Sequence, residues 1–217
     1  MKREERVNAT REALLAAAER LFAERGVHAV ANREISQAAE QGNNTAVVYH
    51  FGTKADVVRA IVRRHAEPIG RRREQMMTNA AGSTDPRDWV ACLVRPLTEH
   101  LEALGSPTWY ARFTAQVRAD PTLAAILTEE SVDTTPALLD LAGNLARCLP
   151  GIPGNIRAER AMMARHLVVQ MAIDRERALA AHSPTHHATW AEAADSLIDA
   201  ITGLWQAPVT LPGTAKA

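Results

Sequence analysis

Residues 43–54, NNTAVVYHFGTK, gather several side chains capable of recognition chemistry in one short run. An asparagine amide offers a donor and an acceptor together, as an adenine edge requires, while threonine or valine can meet a thymine methyl. Tyr49, His50, Thr53 and Lys54 close the run, and hydroxyl, imidazole and ammonium groups so placed typically meet phosphates. Lys54 also opens the next helical pattern, where the free N–H groups of a helix start favour an anion. The same letters have a plainer use. Asn-Asn and Gly-Thr suit turns, and Tyr-His-Phe could fill a core.

The surrounding elements decide between these uses. Leu14, Leu15, Ala18, Leu21 and Phe22 recur as on one face of a helix, with Thr10 as a candidate cap and Gly26 as a stop. A short helix is expected from Asn32, as cap, through Ile35, Ala38 and Ala39. A second short one begins near Asn43 or Asn44 and ends at Gly52. Thr53-x-x-Asp56 resembles a capping box that opens a fourth helix, with Val57, Val58, Ile61 and Val62 as its apolar face. Two short helices joined by a tight turn make a helix-turn-helix. The first (33–39) would cross a DNA backbone and the second (about 44–50) would enter the major groove. Phe51 would anchor the turn to the first helix.

Charge supports a polyanion partner for this part of the chain. The formal net charge is zero, but residues 1–73 hold 14 Lys+Arg against 9 Asp+Glu, and the rest hold 11 against 16. With no Arg or Lys on the second short helix, salt sensitivity should come from Lys54, Arg33, Lys2, Arg3 and Arg6, about 3–5 phosphates per subunit. Arg71, Arg72 and Arg73 read as a solvated face. The composition, 47% apolar and 23% charged, is that of a folded chain. Cys92 and Cys148 are expected as free thiols. No run reaches the roughly 20 apolar residues of a membrane span, so a cytoplasmic location is expected. Beyond residue 73, the breakers GSTDP, GSP, DP, LPGIPG and HSPTHH separate helical stretches near 88–104, 108–119, 121–148, 156–181 and 188–206. Pro136 should interrupt the third of these. The fold class is all-α.

No nucleophile elbow, phosphate loop, zinc-protease pair or dinucleotide fingerprint is present, so neither an enzyme nor a cofactor is expected. His182, His186 and His187 surround Pro184 with no Cys or carboxylate beside them, and no metal site is expected.

Residues 10–62 resemble the TetR family of bacterial transcriptional repressors. The likeness is carried by LFAERGV, REISQAA and YHFGTKADVVRAIV, the last similar to that family's Tyr-x-x-Phe-x-x-Lys-x-x-Leu region. It implies that Asn43, Asn44, Thr45, Val47 and Val48 face bases, that Tyr49, His50 and Lys54 hold phosphates, and that Arg33 assists. It further implies residues 1–52 as the DNA-binding domain, 53–73 as a linking helix and 74–206 as an effector-binding and dimerisation domain, with 207–217 a tail. The partners would be a double-stranded operator, a small-molecule effector and a second copy of the chain.

In the C-terminal half, Leu167, Val168, Met171 and Leu179, with Leu197, Ile198, Ile201, Leu204 and Trp205, form stripes suited to an interfacial four-helix bundle. Trp89, Trp109, Tyr110 and Phe113, with His100, Met163, His166 and Gln170, are candidates for a mostly apolar cavity that takes a hydrophobic or aromatic effector. A helical enzyme acting on a hydrophobic substrate and a non-specific architectural DNA binder are the competing readings.

Overall fold

The computed structural model describes residues 2–43, 45–130 and 136–209, and every regular element among them is a helix. In chain order these are α1 (Lys2–Arg25), α2 (Asn32–Ala38), α3 (Ala46–Phe51), α4 (Lys54–Asn79), α5 (Pro86–Ala103), α6 (Tyr110–Ala119), α7 (Ala124–Glu130), α8 (Pro136–Cys148), α9 (Gly154–Ala180) and α10 (Trp190–Gln206).

Local chemistry explains most of the boundaries. The first helix starts at Lys2 rather than at Thr10, with Glu4 and Glu5 placed in its first turn against the helix dipole. It stops at Gly26, whose φ of +84° suits a residue without Cβ. Thr53 and Asp56 form the expected capping box: the Thr53 hydroxyl accepts from the Asp56 N–H at 3.2 Å, and the Asp56 carboxylate accepts from the Thr53 N–H at 3.0 Å. Asp85 caps α5 just before Pro86, and Thr189 with Glu192 caps α10. The stretch 121–148 divides into α7 and α8, with Pro136 the first residue of the latter.

The buried interior forms two clusters. The first runs without a break from Leu14, Phe22, Ile35 and Val47 through Val58 and Ile61 to Leu101, Phe113 and Ala172. It therefore joins the first four helices to α5, α6 and α9. Phe22 of α1 and Phe113 of α6 stack at 6.4 Å, and burying such side chains contributes about 1.5–3 kcal/mol each. The second cluster packs Trp89, Val90 and Val94 of α5 against Leu145, Val168, Ile198, Ile201 and Trp205. Most of the stripe expected at an interface is thus consumed inside the protomer, because α10 lies along α5. Arg160 closes this cluster, donating to the carbonyls of Trp205 and Ala207 at the end of α10. Cys92 is buried and Cys148 half-buried, and both are free thiols.

Candidate nucleic-acid interface

The helix-turn-helix is α2 and α3 held on α1. Asn32 is the first helical residue rather than the cap: Ala31 precedes it, and the Glu34 carboxylate accepts from the Ala31 N–H at 2.7 Å. Arg25 of α1 pairs with that carboxylate at 2.8 Å, and these two contacts hold Glu34 below its ordinary pKa. At the other end Glu40 takes φ of +55°, while the Gln41 N–H reaches back to the Ser36 carbonyl at 2.9 Å. This six-to-one bond is that of a Schellman turn, in which glycine is the usual left-handed residue.

The turn then tightens through Asn43. Its side-chain oxygen accepts from the Thr45 N–H at 2.9 Å and from the Thr45 hydroxyl at 2.7 Å, and the chain enters α3. Asn43 thus shapes the entry to the helix with the same carbonyl that a base edge would use. On α3 itself, Ala46 and Val47 face the core, and Val47 is 1% exposed. The expectation that Val47 faces bases is corrected here: on a two-turn helix packed against α2 and α4, residue 47 falls on the inner side. Val48 and Tyr49 fall on the outer side, 54% and 79% exposed.

Thr45 and Arg33 are exposed as well, and His50 is half-buried with its ring edge-on to Tyr49 at 5.1 Å. Asn44 lies outside the described residues. Phe51 packs on the main core beneath the Arg11 guanidinium, 5.1 Å from its ring centroid, which ties the turn to α1 as expected. Lys54 donates to the carbonyls of Val27 and His28 at 3.2 and 3.3 Å. Its ammonium therefore fastens the start of α4 to the loop after α1 with two of its three protons. The Thr53 side chain is engaged in the capping box.

The proposed pocket residues of the C-terminal half do not converge. Trp89 lies in the second core and donates from Nε1 to the Ser83 carbonyl at 3.1 Å. Phe113 is plain core. Trp109 lies under Arg112, 4.3 Å from the guanidinium carbon, and borders an open cleft shared with α1 and α4. His100 bonds to His65 at 2.8 Å. Met163, His166 and Gln170 lie exposed on the outer face of α9, where Gln170 donates to Asp174. Of the set, Tyr110 borders an internal cavity, one of about 110 Å3 between α4, α5, α6, α7 and α9. Arg73, expected on a solvated face, is buried in its wall, and its Nε donates to the Cys92 carbonyl at 3.2 Å. The signal for this in the sequence is indirect. The RRR run hides which arginine points inward, and a helical wheel anchored on Ile61, Val62 and Ile69 is what singles out residue 73.

A two-turn helix presented outward beside α2 and α4, on an all-α body, is the arrangement of a helix-turn-helix module. Residues 14–61 match the family model described as bacterial regulatory proteins, tetR family. The whole fold is similar to that of a mutant HlyIIR protein carrying a linker with two thrombin sites. The likeness has a TM-score of 0.59 at 13% identity and covers 91% of this chain and 97% of that one. It is also similar to the TetR-family transcriptional regulator PfmR from Thermus thermophilus, with a TM-score of 0.56 at 16% identity, covering 87% and 96%. No curated protein matches the sequence. Residues 14–61 are thus similar to the DNA-binding module of the tetR family of bacterial regulatory proteins, at the N-terminal end of the chain. Members of this family are generally DNA-binding proteins without enzymatic activity.

Proposed function

We propose that the chain is a homodimeric repressor that reads a palindromic operator through α3 and is released from it by a small molecule bound among the C-terminal helices. The observation that carries this reading is the outer face of α3. A tyrosine and a valine stand exposed there on a helix whose other face is fixed in the core. Nothing in the packing of one protomer requires an aromatic ring at position 49, and a groove-facing phenol accounts for it. Asn43, Thr45 and Arg33 supply polar groups beside it.

A second copy is supported by α9. Met162, Met163 and Leu167 are each close to half exposed on its outer face, bordering a groove toward α10 lined by Met171 and Leu197. Such a patch suits an isologous contact, and two-fold symmetry matches the two half-sites of a palindrome. The unit that reads DNA is thus residues 1–52, with 53–73 acting as a lever and 74–206 as the responding body. Coupling between effector and operator of about 1–3 kcal/mol would suffice for release. A DNA reader of this kind works beside the chromosome, and no described helix is long and apolar enough to cross a membrane.

The test is selection from a pool of random duplexes at about 150 mM salt, where non-specific phosphate binding is weak. Enrichment of one palindrome by the native protein, lost in Tyr49→Ala, is the expected result. Retention of all duplexes alike would replace the repressor with an architectural binder.

A further inference from the structure

The open cleft between the head, α1 to α3, and the connection from α5 to α6 has a chemistry that neither DNA reading nor core packing uses. Its volume, about 590 Å3, is that of a small-molecule site. Ala13, Ala16 and Ala17 of α1 line it together with Ala38 and Ala39 of α2. Ala16 and Ala38 are exposed, at positions where an amphipathic helix ordinarily carries a long polar side chain. Alanine on two neighbouring helices leaves instead a flat apolar surface with nothing standing over it. Trp109 borders the same cleft, its ring fixed by the Arg112 guanidinium at 4.3 Å.

The charges are arranged to suit a cation. Glu19 lines the cleft although it is only 6% exposed. One of its oxygens accepts from His65 at 2.9 Å, and the other makes no hydrogen bond among the described residues. Glu40 lines the cleft as well. The positive groups there, Arg20 and Arg64, are each drawn to a glutamate outside the lining, Arg20 to Glu24 at 3.6 Å and Arg64 to Glu12 at 3.4 Å. Glu19 and Glu40 are thus left with no arginine or lysine partner among the described residues, within a head that is basic as a whole. A carboxylate taken out of water is stabilised by donors, and most by charged ones.

We infer that this cleft binds a flat organic monocation, an aryl ammonium or amidinium of one or two fused rings. The alanine surface and Trp109 receive the ring, and the free oxygen of Glu19 accepts from the cationic N–H, with Glu40 adding attraction at the opening. An occupant would touch α1, α2, α4 and the α5–α6 connection at once. The site is separate from the C-terminal helices to which the effector of the repressor reading is assigned.

The experiment is calorimetric titration of the full-length protein at neutral pH with benzamidine and with naphthylmethylamine. Each is compared with its uncharged counterpart, benzamide or naphthylmethanol, and benzoate serves as the anion. At least one cation should bind about tenfold or more tightly than its counterpart, the gain of a charge-assisted bond. Glu19→Gln, which keeps an acceptor for His65, should erase that preference. Because this variant replaces a buried group and could unfold, Ala16→Arg provides a second test. Position 16 is exposed on a helix and arginine is a good helix former, so the fold is kept while a long cationic side chain enters the cleft. Affinity for the cation should then drop at least about tenfold.

Equal binding of cation and counterpart, tighter binding of benzoate, no binding of either cation, or unchanged affinity in Ala16→Arg would each overturn the inference. Operator binding enters none of these readouts, so the repressor reading stands or falls separately.

Discussion

Glu19 of α1 and His65 of α4 meet at 2.9 Å, and both are almost wholly buried, at 6% and 2% exposure. The carboxylate accepts from His65 Nε2–H. His65 Nδ1 is then left to accept from His100 Nε2–H on α5 at 2.8 Å, and the Tyr110 ring stacks on His65 at 4.0 Å. One short chain of hydrogen bonds thus runs from α1 through α4 to α5, with α6 stacked on its middle member. Burial disfavours the charged form of His100 at the end of it.

That condition yields a pH prediction. Burial, aided by neighbouring His65 and Arg64, pushes the His100 pKa from 6.5 down to about 4. The unfolded chain therefore binds a proton at this site that the folded one refuses. Stability is full above pH 6.5 and falls as the pH drops toward 4, by on the order of 2 kcal/mol once partial solvent exposure is allowed for. Urea denaturation at pH 7 and pH 4.5 measures it. His100→Gln, which keeps a side-chain N–H but does not titrate in this range, should flatten the difference.

Positions 47 and 49 should separate stability from recognition. Tyr49→Ala removes an exposed ring, so the melting temperature should stay within about 1 °C while operator affinity falls at least about tenfold. Val47→Ala deletes two buried methyl-sized groups and should cost about 1–2 kcal/mol, with affinity unchanged for the fraction that is folded. Paired calorimetry and fluorescence anisotropy would show the two effects trading places if α3 were turned the other way.

Glu40 holds a left-handed conformation that costs a residue with Cβ about 1–2 kcal/mol relative to glycine. Glu40→Gly should therefore stabilise the protein by about 0.5–1 kcal/mol, since glycine also raises the entropy of the unfolded chain. A lower denaturation midpoint in this variant would show that the Glu40 side chain makes a larger contribution than its backbone costs.

Glu176, buried on α9, accepts from the N–H groups of Ala111 and Arg112 at 3.2 and 2.8 Å, taking the place of a cap at the start of α6. Glu176→Ala leaves two helix-start donors and a nearby Arg112 guanidinium without their acceptor, and should cost about 2–4 kcal/mol. Glu176→Gln, which keeps one acceptor oxygen, should cost less. Equal losses would mean that shape rather than charge matters there.

Leu167, 44% exposed on α9, tests assembly. Leu167→Glu should shift the protein from dimer to monomer in sedimentation and leave the monomer folded. An unchanged dimer would move the interface elsewhere.

The head was legible in the sequence because its signals are local. A capping box, a Gly stop and a 3.6-residue apolar period depend on neighbours within one or two turns, and they placed the end of α1 and the starts of α2 to α4 within a few residues, while α1 begins well before Thr10. The outward side of α3 was legible for Tyr49 but not for Val47, since a six-residue helix has too few turns to define a face by pattern alone. In the body, aromatic content suggested a pocket, yet Trp89 and Phe113 fill cores made by helices more than 50 residues apart in the chain. Glu19, His65 and Arg73 were missed for a related reason. Charged and titratable letters on an amphipathic helix read as solvent-facing unless the partner that buries them is known.

The stack of Phe22 on Phe113 bears on how such a head could be exchanged or detached. Because α1 and α6 share one interior, residues 1–73 are not a cassette. A fragment ending there would expose the faces of Phe22, Ile61 and Ile69 to water, and grafting the head onto another body would require that body to bring its own ring to the position of Phe113. Melting should accordingly occur in a single transition, with head and body unfolding together. Any reorientation of the DNA-reading helices must then proceed by α1 rolling over α6, since a free hinge would open the core.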